Sequence, residues 1–119
     1  MTTEQIVEGN KLIAEFMNYP KEGEGSTYYY AMKHCYENNN MKYHTSWGWL
    51  MPVVEMIESI GQSYVEFGKK HCRIQPILYN PKKDCMEWQI LHETQCATKI
   101  EAVYTAITSF LTWYNQQPK

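Results

Sequence analysis

A chain of 119 residues, 44% hydrophobic and 20% charged, has the size and balance of one globular domain spanning residues 1–119, with no room for a second. Its net charge of −2, with Arg73 as the sole arginine, argues against general nucleic-acid binding, which draws on a surplus of Lys and Arg, but leaves room for a small anionic ligand. The longest apolar run, residues 49–54, is far short of a membrane span, and the polar, acidic opening MTTEQIVEGNKL does not read as a signal peptide. The sequence thus predicts a soluble, cytoplasmic protein without membrane contact, whose Cys35, Cys72, Cys85 and Cys96 stay reduced.

The first helix is expected over Thr3–Met17. Thr2 and Gln5 have capping-box spacing, Ile6, Ile13, Phe16 and Met17 can share a face, and Pro20 with Gly23 and Gly25 ends the run. Tyr28–Tyr36 offers a strand. A second helix is expected over Trp47–Ile60, because Leu50, Val53, Val54, Ile57 and Ile60 recur on one helical face. Thr45 or Ser46 can cap it and Gly61 can stop it, while Pro52 removes an internal donor and predicts a bend in the first turns.

Strands follow. Val65 and Phe67 alternate within residues 63–68, and Gly68-Lys69-Lys70 reads as a turn. Cys72, Ile74 and Leu78 line one face of a second strand, with Pro76 forcing a bulge or an edge. Asn80-Pro81-Lys82-Lys83 makes the next turn, and Met86, Trp88 and Ile90 alternate on a third strand, completing an antiparallel meander. A last helix over Thr98–Asn115 starts with the box spacing of Thr98 and Glu101 and carries an apolar stripe from Ile100 to Tyr114. That stripe is wide enough to meet both a sheet and a neighbouring subunit, so a homo-oligomer is expected. The fold class is α+β, an antiparallel sheet of three to four strands with helices packed on one face.

Chemistry-bearing patterns are few. His34-Cys35 and His71-Cys72 repeat as pairs, but neighbours on a strand point to opposite faces, and the close ligand spacing of a structural zinc site is missing. No recognised nucleophile signature surrounds any cysteine, and Gly23-Glu24-Gly25-Ser26 lacks the lysine of a phosphate loop. Neither metal nor cofactor is expected.

The segment Tyr43-His44-Thr45-Ser46-Trp47-Gly48-Trp49 is the candidate site. Three aromatics, an imidazole and two hydroxyls precede a helix start, whose free amides suit an anion, while Tyr and Trp faces can stack a base. Tyr43, His44, Ser46, Trp47 and Trp49 would form the wall, with Lys70 and Arg73 as charge-assisted donors to phosphate. The competing reading is a capped helix whose tryptophans close the core.

The run Tyr43–Trp47 into Leu50-Met51-Pro52-Val53-Val54-Glu55-Met56-Ile57-Glu58-Ser59, with the opening Glu8–Met17 and the close Lys99–Asn115, resembles a family of small uncharacterised proteins of phages, prophages and gut-bacterial genomes. The resemblance covers roughly half the chain, and an acidic residue often stands in that family where this chain has Gly48. It implies a phage setting, with the host cytoplasm as the location. By analogy of context, it suggests a non-enzymatic, homo-oligomeric protein that sequesters a small nucleotide-derived host immune signal. The alternatives are a protein-interaction module that inhibits a host protein directly, or a phosphodiesterase-type enzyme using His44 or His71 beside a second titratable group.

Overall fold

The computed structural model describes residues 1–17 and 33–117. Helix α1 spans Thr3–Phe16, α2 Trp47–Glu58 and α3 Lys99–Asn115; between α2 and α3 lie β1 (Tyr64–Phe67), β2 (His71–Gln75), β3 (Ile77–Asn80), β4 (Cys85–Trp88) and β5 (His92–Gln95). The fold is α+β. Of the strand expected over Tyr28–Tyr36, residues 28–32 lie outside the described residues. Residues 33–37 are helical instead.

The helix ends follow local chemistry. Thr2 and Gln5 form a complete capping box on α1. The Thr98 hydroxyl accepts from the Glu101 amide at the start of α3. Ser46 occupies the cap position of α2 with its backbone alone, making no side-chain capping bond. Pro52 deletes the amide that the Gly48 carbonyl would take, yet α2 continues to Glu58. Beyond it Gly61 adopts φ +58°, and a Cβ there would collide with the Ile77 carbonyl. Glycine at this turn therefore both ends the helix and lets β3 approach.

The strands form a three-stranded antiparallel sheet, β1-β2-β5, and a separate β3-β4 hairpin. The expected single meander is corrected at two points. Pro76, which has no amide to donate, separates β2 from β3. The place beside β2 that the meander would have assigned to the next strands is taken by β5, with Ile74 opposite His92 and Cys72 opposite Thr94.

Val65 and Phe67 of β1, Cys72 and Ile74 of β2 and His92 and Thr94 of β5 sit at matching register positions and face the helices. Residues of α2 and α3 bury against them, including Leu50, Val53, Ile57, Val103, Ile107 and Phe110. Helix α1 crosses α3 where Gly9 meets Tyr104; a Cβ at Gly9 would strike the Tyr104 hydroxyl, which donates to the Ile6 carbonyl at 3.1 Å. The stripe on α3 is thus divided between the sheet and α1, and the width that suggested a neighbouring subunit is used within the chain. Among the described residues no helix is long and apolar enough to cross a membrane.

Candidate functional site

The aromatic segment ahead of α2 is turned inward. Tyr43 is 4% exposed and meets Trp49 edge to face at 5.1 Å. The side-chain amide of Asn10, itself buried in α1, donates to the Met41 carbonyl at 3.0 Å and lies 3.2 Å from Nδ1 of His44. An amide nitrogen can only donate, so Nδ1 accepts and His44 is neutral with its proton on Nε2. Burial pushes the His44 pKa down, which agrees with that state. The imidazole also faces the Tyr104 ring at 6.0 Å. The segment therefore ties α1, α2 and α3 together.

Trp47 is at the margin of this knot, stacked on Phe67 at 5.8 Å, and Ser46 is half-buried beside it. Both lie on the helix side of the sheet, because Phe67 pairs in register with buried Cys72. Arg73, the next residue, points to the opposite side. There it sits between Glu66 and Glu93 of the neighbouring strands, with Nε 3.9 Å from the Glu93 carboxylate. Lys70 is exposed in the β1–β2 turn. The seven expected site residues are thus divided: five lie with the helices, Lys70 at a strand turn and Arg73 on the open face. The sheet stands between the aromatic wall and the guanidinium.

Arg73 does line an open concavity of about 560 Å³ with His71, Glu93, Thr94 and Gln95. Its charge is mixed. Glu66 and Glu93 flank the guanidinium, so a phosphate arriving there must displace or face two carboxylates. Exposed pairs of this kind contribute little to stability, which leaves all three side chains available for contacts in trans.

The feature that sequence periodicity missed is the outward face of the hairpin whose turn at residues 80–83 it expected. Cross-strand partners share a face, so Ile77, Tyr79, Met86 and Trp88 lie together. The alternation of Met86, Trp88 and Ile90 read as a core-facing strand; instead Trp88 is 67% exposed and Ile90, beyond the strand end, 60%. Tyr79 is 55% exposed, and Tyr64 and Leu91 are exposed close by. Two of the rings are held in place: Trp88 meets Tyr64 edge to face at 6.3 Å, and the Tyr79 hydroxyl donates to the Asp84 carboxylate. Tyr64 alternates outward with Glu66, so the patch runs into the open sheet face that carries Arg73.

Reactive groups are quiet. Cys72 is buried under α3 and its thiol is pushed up to about 12 by that burial, a poor nucleophile. Among the described residues no three of His, Cys, Asp and Glu gather as a metal site requires. No family model, curated protein or solved structure matches the chain.

Proposed function

We propose that this is a binding protein that docks a protein partner through the open face of the β1-β2-β5 sheet and the adjoining hairpin. One observation carries the reading: the described helices pack on one face of the sheet, and the other joins Tyr64, Tyr79 and Trp88 to Arg73 with its two carboxylates. Tyr, Trp and Arg are the residue types that dominate binding energy at protein interfaces. Ordered rings lower the entropy cost of docking. Photocrosslinking in expressing cells tests this directly, with benzoylphenylalanine placed at Tyr79 or, as a control, at exposed Thr112 on α3. Protein crosslinks are expected from position 79 and few from position 112; equal or absent crosslinking defeats the reading.

A second reading, sequestration of a small nucleotide-derived anion in the phage setting suggested by the resemblance, is favoured by the His71–Arg73–Gln95 concavity, whose volume suits a small ligand. Its base-stacking wall would be Tyr64 and Trp88 rather than Trp47 and Trp49. Native mass spectrometry against cyclic and ADP-ribose nucleotides tests it: retained ligand lost in Arg73→Ala supports this reading, and an empty spectrum across the panel removes it.

A further inference from the structure

The apolar part of the open face has dimensions that select among partners. Trp88, Tyr79, Tyr64, Ile90 and Leu91 are the large hydrophobic side chains exposed on and beside the hairpin. A fully exposed aromatic side chain presents about 150–250 Å², so these five at their observed exposures offer about 500 Å² of apolar surface, the upper range for a free monomer. A standard interface buries about 800 Å² on each partner, and in homodimers about 65% of it is apolar, again about 500 Å².

Charge points the same way. Lys82 and Lys83 balance Asp84 and Glu87, and Lys83 is bound to Glu87 at 3.1 Å, so the hairpin carries no net charge beside the patch. An acidic or basic partner would find little sign to select. A second copy needs none, and a net charge of −2 sets little repulsion between copies. The hairpin itself gains too. Two strands alone are marginal in water, and among the described residues β3 and β4 pair only with each other.

We infer that the apolar hairpin face is a homodimer interface, in which two copies of the chain bury Tyr79, Trp88 and Ile90 against each other about a twofold axis. This rests on the open face being the docking face, and names a second copy as its occupant. The polar concavity around Arg73 then lies at the border of the dimer, where the partner protomer can close it.

Sedimentation velocity of the purified full-length chain from about 1 to about 300 µM reads the association directly. The weight-average mass is expected to climb from 14.1 kDa toward twice that value. Trp88→Asp should weaken association at least about 30-fold, while Thr112→Asp on α3 leaves it unchanged; Ile90→Asp serves if the first variant does not keep the wild-type circular dichroism. A wild-type chain that stays at 14.1 kDa throughout overturns the inference, as does a Trp88→Asp chain that dimerises as tightly as the wild type. If the wild-type chain is monomeric but position 79 still crosslinks to other proteins in cells, the second copy is excluded and the docking face survives. If crosslinks are also lacking, both fail.

Discussion

Two stretches of this chain send their aromatic side chains to opposite ends. Residues 43–49 turn Tyr43 and Trp49 into the core and tie the imidazole of His44 to Asn10. Residues 77–91 turn Tyr79, Trp88 and Ile90 outward on a hairpin that, among the described residues, pairs with no other strand. Composition cannot separate these cases, because Tyr and Trp are at home both half-buried in a core and at an interface. What separates them is covering. The first stretch enters a helix whose apolar face is already aimed at the sheet. The second belongs to strands that Pro76 has removed from that sheet.

The largest effect expected from this contrast is on stability. Tyr43→Ala deletes a buried ring packed on Trp49 of α2 and should cost about 3–5 kcal/mol in urea unfolding. Trp88→Ala, measured in dilute solution, should cost less than about 1 kcal/mol, the value of one exposed edge-to-face contact. Similar losses from both would mean that the hairpin face is structural and the contrast is wrong. A folded Tyr43→Ala chain of unchanged stability that no longer binds its partner would restore residues 43–49 as the site.

The helices were legible because spacing and capping agreed: Leu50, Val53, Val54 and Ile57 repeat as a helix requires, and Thr2 and Thr98 cap where they stand. Strand β5 was not legible because its inward residues are polar. His92 is buried with Nδ1 3.0 Å from the Ser109 hydroxyl, and the Thr94 hydroxyl donates to the Ala102 carbonyl at 2.6 Å. Partners on α3 make these side chains acceptable inside, and no alternation of apolar with polar records that in the sequence. The division of the candidate site was not legible for a related reason. Its residues are amphipathic, and the inward contacts of His44 come from the Asn10 amide, more than 30 positions away in sequence, and from the Tyr104 ring.

The inward placing of both imidazoles has a pH consequence. Burial lowers the pKa of His44 and of His92 below the ordinary 6.5. As pH falls through 6.5 the unfolded chain takes up protons that the folded chain refuses, so stability should decline from there toward the lower folded values. The slope is bounded at about 1.4 kcal/mol per pH unit for one imidazole, less where solvent screens it. Urea unfolding between pH 7.5 and about pH 5 should show the decline, and His92→Leu should flatten part of it. A flat profile in the wild-type chain would mean that neither ring is held neutral.

The smallest effect bears most directly on what the start of α2 is for. Gly48 lies exposed in the first turn, which contains no acidic residue, and a Cβ there would meet only the Ser46 hydroxyl oxygen, at an ordinary 3.6 Å. Gly48→Asp removes a helix-weakening glycine and places a carboxylate at the positive end of the helix, together about 1 kcal/mol of stabilisation. A gain in melting temperature of about 4 °C with partner binding intact identifies this helix start as a structural end that merely lacks its preferred residue. A Gly48→Asp chain that gains stability but loses binding would show instead that the open amides of this turn receive an anion, because an introduced carboxylate would occupy them.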